Sequence, residues 1–173
     1  MRIALSGTPG TGKTSVSKEL SKILDYDYVD FNKLAEEEKL VSGFDSERNS
    51  KEIDTEKLNK IEIPDNSIVD GHLSYFIPVD VVFVLRTNPE ELKKRLKNKG
   101  WKPAKIQENV EAEILGICSY EASGEREKVV EIDTTGKKPE EIAKVIKKMI
   151  EKKDFKTKDI DWLEDHDQMI EKI

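Results

Sequence analysis

The chain has 173 residues and a formal net charge of −6, and 38% of its residues are charged while 36% are hydrophobic. This length predicts one domain, and the grouping of the apolar residues in short runs argues against disorder. A single cysteine excludes internal disulfide bonds and multi-cysteine zinc sites, and no apolar run reaches the ~20 residues that span a bilayer. Because the first residues read as a strand rather than a signal peptide, we expect a soluble, cytoplasmic protein without membrane association or sequence-specific nucleic-acid binding.

The first part of the chain predicts two strands, each followed by helical sequence. Residues 2–6 form a short apolar strand, and residues 14–24 place Val16, Leu20 and Ile23 on one face of a helix. A brief strand is expected at residues 28–30. Polar helical segments should follow it to about residue 61.

Three further strands are predicted, at residues 67–70, 79–86 and 129–132. Helices should begin near Asn88, which is followed by Pro-Glu-Glu, and near Pro103 and Pro139. The first of these should end at Gly100, and the second should continue through Ile117. The alternation of strands and helices predicts an α/β fold with a five-stranded parallel sheet and helices on both faces.

The strongest motif is GTPGTGKT at residues 7–14, which fits the phosphate-loop pattern G-x-x-x-x-G-K-[ST] and stands between a predicted strand and a predicted helix. Gly10 and Gly12 allow backbone N–H groups to surround a phosphate. Lys13 should bridge the β- and γ-phosphates of ATP, and Thr14 should bind Mg²⁺. Ser15 is placed to contact the α-phosphate.

Other candidates follow the ends of the predicted strands. Asp70 ends an apolar strand, where a carboxylate holds Mg²⁺ directly or through water, although it also fits a turn residue. His72 either orients a water or substrate or is a hydrogen-bonded turn residue. Arg86 ends the next apolar strand and is expected to face a phosphate or form a hinge rather than a surface ion pair. Cys118 is expected in the core and His166 in solvent.

Four stretches, GTPGTGKT, VDGH, VFVLRT and NVEAEI, resemble the adenylate-kinase-related family that includes the coilin-interacting nuclear ATPase and its archaeal relatives. The resemblance implies a P-loop nucleoside monophosphate (NMP) kinase fold over residues 1–153, with an NMP-binding region at about 30–53 and a short lid at about 98–108. Residues 154–173 form an acidic tail that is expected to pack on the domain as a helix. The resemblance also implies that ATP contacts the phosphate loop, Lys99 of the lid and Gly136 near the adenine.

The same resemblance implies adenylate kinase and ATPase activities, and a role in maturing the small ribosomal subunit through one of its proteins. Two positions depart from the pattern of the relatives, because Glu36 and Lys99 stand where they have arginine. Three functions remain open. The chain is a Mg·ATP-dependent kinase of AMP or another NMP, an ATPase that acts as an assembly switch, or a P-loop kinase of another small metabolite such as shikimate or gluconate.

Overall fold

The computed structural model describes residues 1–45 and 50–170 of the chain. Within them lie seven strands: β1 Arg2–Ser6, β2 Asp27–Asp30, β3 Val41–Asp45, β4 Ser50–Ile53, β5 Ser67–Asp70, β6 Val81–Arg86 and β7 Val129–Asp133. The α-helices there are α1 Lys13–Leu24, α2 Phe31–Glu37, α3 Thr55–Leu58, α4 Pro89–Asn98, α5 Pro103–Ile114, α6 Ile117–Glu125, α7 Pro139–Lys152 and α8 Leu163–His166. Among these residues no helix is both long and apolar enough to cross a membrane.

Five strands form the predicted parallel sheet, in the order β2-β5-β1-β6-β7. The central strand β1 pairs with β5 on one side and with β6 on the other, so that Ile3 lies opposite Ile68 and Val81. Because all the strands are parallel, their carboxyl ends meet at one edge of the sheet. This edge carries Ser6, Asp30, Asp70, Arg86 and Asp133, which brings the predicted site residues from distant parts of the chain together.

The alternation of side chains along the central strands separates two cores. Ile3 and Leu5 of β1 face α1 and α7, where they contact Leu20 and Ile146 among other buried residues. Ala4 faces the opposite side, in a core with residues of β6 and α6. The structure therefore confirms the predicted α/β fold with helices on both faces of a five-stranded parallel sheet.

Before the tail, two secondary-structure predictions were wrong in part. The segment expected to be helical up to residue 61 does contain the short helices α2 and α3, but an antiparallel hairpin, β3 and β4, lies between them, with a register shift between Val41 and Gly43. The helix expected to continue through Ile117 breaks at Gly116, whose φ of 64° is left-handed and cannot continue a right-handed helix. The chain therefore turns between α5 and α6.

The regions assigned by resemblance map onto identifiable segments. The predicted NMP-binding region, residues 30–53, spans α2 and the hairpin, and its residues 46–49, which include Arg48, lie outside the described part of the chain. The predicted lid, residues 98–108, covers the end of α4 and the first half of α5. Both assignments stay predictions.

The tail was expected to be a helix, but its described residues mostly lack regular secondary structure and form only the short α8 and a 3₁₀ turn at Asp167–Met169. Phe155 packs against the core beside α7, with its ring centroid 6.3 Å from that of Phe83. The prediction that His166 is solvated was wrong: it is buried, with Nδ1 3.1 Å from Trp162 O and Nε2 3.3 Å from Asn88 Nδ2. An acidic neighbourhood in the sequence does not reveal this contact with a residue 78 positions away.

Candidate active site

The phosphate loop, residues 7–14, joins the end of β1 to the start of α1. Gly7, Gly10 and Gly12 have φ angles of 133°, 98° and 101°. A Cβ atom on Gly7 would lie 2.4 Å from Leu85 O, so the loop can pass β6 only with glycine there. Backbone N–H groups of such a loop and the N-terminus of α1 favour an anion in the same space. The loop has the geometry of a phosphate site.

Lys13 begins α1 and directs its ammonium back to the loop. Its Nζ donates to Gly7 O at 2.7 Å and to Thr8 O at 3.1 Å. Burial lowers the pKa of Lys13, although nearby acidic groups, Asp70 and Glu113 among them, oppose this shift. Because this ammonium is partly buried and lies at the loop, it can attract a phosphate there.

Asp70 ends β5 with a carboxylate that is largely buried, only 6% of the residue being exposed. Its Oδ2 accepts a hydrogen bond of 2.8 Å from the Tyr28 hydroxyl of the neighbouring strand β2. Burial and this hydrogen bond raise the pKa of Tyr28, so the phenol stays protonated and continues to donate. Tyr28 therefore fixes the orientation of the Asp70 carboxylate.

His72 is anchored to the end of β1 by its backbone, because Ser6 Oγ donates to His72 O at 2.7 Å. The imidazole Nδ1 lies 3.3 Å from Gly7 O and 3.6 Å from the thiol of Cys118, which is buried as predicted. Burial of the imidazole, and then the charge of the Lys13 ammonium, lower the pKa of His72. A neutral imidazole that donates from Nδ1 to Gly7 O keeps Nε2 as an acceptor.

Two cavities meet at the phosphate loop, and each is lined by different loop residues. One of about 560 Å³ contains Lys13, Thr14, Asp70 and His72 beside the start of α2. The other, of about 470 Å³, is lined by Gly10, Gly12, Ser15, Arg95, Lys99, Thr134 and Lys137, among other residues. We call these the α2-side cavity and the α4-side cavity. The predicted site residues of the loop are thus divided between two spaces that share one phosphate site.

The α4-side cavity carries several cationic side chains. Lys99, the residue that follows α4, is one of the residues that line it. Arg95 of α4 donates from Nη1 to Gly10 O at 3.3 Å and pairs with Glu91. Glu91 in turn accepts a hydrogen bond of 3.0 Å from Gly136 N, so Gly136 lies close to this cavity. The arrangement supplies positive charge on the side of the loop that contains Ser15.

Arg86 was predicted to face a phosphate, but it lines neither of these two cavities. Its guanidinium is buried and donates from Nε to Glu113 Oε1 at 2.8 Å, and it also pairs with Glu131. Burial alone would lower the pKa of Arg86, but the two carboxylates raise it, so the group stays charged. The predicted phosphate-facing role of Arg86 is therefore wrong. Its side chain follows Val82 and Val84 onto the face of β6 that α6 covers.

Sequence reasoning missed four residues that contact the site. Arg95 and Thr134 reach the loop at Gly10 O and Thr11 O, Tyr28 holds Asp70, and Glu113 accepts a hydrogen bond from Thr8. Of these four residues, only Glu113 could have been identified from the sequence, because it is a charged residue on the apolar face of α5 that contains Ile106, Val110 and Ile114. The others became visible only when the topology brought distant segments together.

The residues of the α2-side cavity suit a magnesium ion. Thr14 and Asp70 supply the hard oxygen donors that Mg²⁺ prefers, and both line the same cavity. Among the described residues no cluster of three or more histidine, cysteine or acidic side chains forms a metal site. Two protein oxygens fit an ion that retains several waters and shares the phosphates of a nucleotide.

Comparison with known proteins agrees with this architecture. The family model described as "AAA domain" matches residues 3–116. The "Putative adenylate kinase" of Thermococcus onnurineus is 43% identical, with 99% of this chain and 96% of the relative covered. The protein of the same name from Methanocaldococcus jannaschii is 42% identical, with 95% and 94% covered.

Among solved structures, shikimate kinase from Acinetobacter baumannii, determined with shikimate, superposes with a TM-score of 0.66. It is 18% identical, and 90% of this chain and 95% of that chain are covered. At this identity the likeness shows a shared P-loop kinase fold alone. The sequence comparisons are closer, and by them this chain belongs to the family of the archaeal proteins named "Putative adenylate kinase".

Proposed function

We propose that the chain is a Mg·ATP-dependent nucleoside monophosphate kinase that transfers a phosphoryl group to AMP and also hydrolyses ATP. The observation that carries this proposal is the pair of cavities that meet at one phosphate loop. Phosphoryl transfer is catalysed mainly by holding donor and acceptor in line and by stabilising charge between them. A loop with a cavity on each side suits two substrates that meet at one phosphate.

The α4-side cavity suits the donor nucleotide. ATP placed there would set its phosphates along Gly10, Gly12 and Ser15, and Lys13 would reach the β- and γ-phosphates. Lys99 would add positive charge, and Gly136 would lie near the adenine. Support for ATP as donor also comes from the relatives' printed name, which specifies an adenylate kinase.

Magnesium would be held by Thr14 directly and by Asp70 through water. The ion supplies charge neutralisation between the β- and γ-phosphates when it is bound. Tyr28 then keeps the Asp70 carboxylate directed to this position through its hydrogen bond of 2.8 Å. Lys13 stabilises the charge that develops on the transferred group.

The α2-side cavity would receive the acceptor, and its charges also favour a second candidate function. Asp30 and Asp70 are among the described residues that line it, and Lys13 is the cation among them. Outside the residues that line this cavity, Glu36 of α2 stands where the family resemblance implies an arginine, and carboxylates repel the phosphate of AMP. These charges favour slow ATP hydrolysis over AMP phosphorylation, with water oriented by His72 as the acceptor.

The resemblance to the family of the coilin-interacting nuclear ATPase supports a cellular role for either activity. We propose that the protein acts in the cytoplasm in maturation of the small ribosomal subunit and binds one of its ribosomal proteins. Slow ATP hydrolysis would then change the affinity for that partner.

The test is to measure ADP formation from Mg·ATP with and without AMP, and to use Lys13→Ala as the matched control. An AMP kinase should form ADP many-fold faster with AMP, with two ADP per ATP consumed. Lys13→Ala should lower turnover by ~10³-fold or more, because the charge at the transferred group is lost. A slow rate that AMP does not change would establish the ATPase instead. Turnover that Lys13→Ala leaves intact would overturn both.

A further inference from the structure

A carboxylate lies in the core beneath the phosphate loop, where the proposed function does not require one. Glu113, in the last turn of α5, is 1% exposed and lies on the same helix face as Ile106 and Val110. An ionised carboxylate is costly to bury unless charged and hydrogen-bonding partners compensate for the lost water. The partners of Glu113 therefore indicate its role.

The two oxygens of the Glu113 carboxylate have separate functions. Oε1 accepts from Arg86 Nε at 2.8 Å and from the backbone N–H of Thr87 at 2.9 Å. These bonds neutralise the charge and join α5 to the end of β6. Oε2 accepts the hydroxyl proton of Thr8, the second residue of the phosphate loop, at 2.5 Å. One oxygen is thus left for the loop.

Thr8 transmits this contact to the groups that bind phosphate. Its side chain is buried, 1% of the residue being exposed, and its carbonyl oxygen accepts from Lys13 Nζ at 3.1 Å. The same carbonyl accepts from Thr11 Oγ1 at 2.9 Å and from Thr11 N at 3.3 Å. The orientation of the Thr8 peptide therefore influences both the curvature of the loop and the position of the Lys13 ammonium.

We propose that Glu113 is a positioning residue for the phosphate loop, acting through the Thr8 hydroxyl to hold the loop in its nucleotide-binding shape. This inference rests on the proposed function, because it requires that the loop binds a nucleotide. Arg86 is the counterion that allows the carboxylate to be buried there. The pair explains why an arginine at the edge of the sheet faces away from both cavities.

The same contact joins the loop to the segment predicted to be the lid. Helix α5 runs from Pro103, inside the predicted lid, to Ile114, and its 12 residues span about 18 Å at 1.5 Å per residue. One continuous helix therefore links the predicted lid segment to the Thr8 hydroxyl through Glu113.

The inference is tested best by removing the Thr8 hydroxyl, because Glu113→Gln would also disturb the buried Arg86 and destabilise the fold. Thr8→Val keeps the shape of the side chain and removes the donor, whereas Thr8→Ser retains it. Affinity for ADP, measured by titration calorimetry, should fall about tenfold in Thr8→Val, the loss typical of a hydrogen bond to a charged group. Thr8→Ser should bind ADP as the unaltered protein does.

Tyr75→Phe is the matched control, since the Tyr75 hydroxyl donates at 2.6 Å to another carboxylate, that of Glu121 in α6. It should lower the unfolding temperature and leave ADP affinity unchanged. If Thr8→Val lowers the unfolding temperature and binds ADP as tightly as the unaltered protein, the contact is only structural and the inference is overturned. If the unaltered protein itself binds no ADP, the proposed function fails and the inference with it.

Discussion

Lys13 and His72 are 59 positions apart in the sequence, yet both have a side-chain nitrogen close to Gly7 O. The Lys13 ammonium donates to it at 2.7 Å and the His72 Nδ1 lies 3.3 Å away. Burial of the imidazole lowers the pKa of His72, and the nearby Lys13 ammonium lowers it further because a second positive charge there would be repelled. His72 therefore stays neutral and keeps an acceptor nitrogen, as orientation of a water molecule requires.

This leads to a prediction for His72→Ala. Hydrolysis needs a group that orients water, whereas a bound AMP is oriented by its own contacts with the protein. We expect the variant to lose about 10²-fold in ATP hydrolysis and much less in AMP phosphorylation. Parallel assays of both rates check this. Equal losses would show that His72 only supports the loop.

At the scale of single elements, helices with a local start signal were predictable and the hairpin was not. The Asn88-Pro-Glu-Glu sequence predicts the start of α4, and Asn88 Oδ1 accepts from Glu90 N at 3.0 Å and from Glu91 N at 3.4 Å. The hairpin β3–β4 has no such signal. Its strands are short and one is bulged at Val41–Gly43, which breaks the alternation that identifies a strand.

Loss of the α4 cap gives a prediction for stability. Asn88→Ala removes both cap hydrogen bonds and the contact with His166, and should lower the free energy of unfolding by about 1–2 kcal/mol. Asn88→Asp is the matched control, because it keeps the cap acceptor and loses only the Nδ2 contact. Urea denaturation of the two variants separates these contributions. A similar loss in both variants would assign the effect to His166 rather than to the cap.

On the scale of the whole molecule, the chain order of strands and helices was sufficient to predict the sheet, and the tail was not predictable in the same way. The apolar runs of β5 and β6 can be buried only in a sheet covered on both faces. The tail is instead held by contacts with residues that are distant in the sequence. Ile160 N donates to Glu131 Oε2 at 2.6 Å, and Ile160 O accepts from Arg86 at 3.2 Å. Its local sequence gives no sign of either partner.

Docking of the tail predicts unequal effects for two of its apolar residues. Phe155 packs on the core and lies below Lys128, whose Nζ is 4.9 Å from the ring centroid. Phe155→Ala should therefore lower the free energy of unfolding by about 2 kcal/mol or more. Leu163 is 43% exposed, and Leu163→Ala should change the free energy of unfolding by less than about 0.5 kcal/mol. Equal effects in thermal or urea unfolding would contradict the packing of Phe155 on the core.

The long sequence separation of the contacts around the phosphate loop has a kinetic consequence. The loop follows β1, whose partners β5 and β6 come much later in the chain, and it is held by Glu113 and Thr134, which are 105 and 123 positions from their loop partners. Closing such long loops is slow, so the anion site forms late in folding. During refolding, affinity for a nucleotide appears only when nearly the whole topology is complete. A nucleotide that binds this site selectively therefore slows unfolding without speeding the early steps of folding.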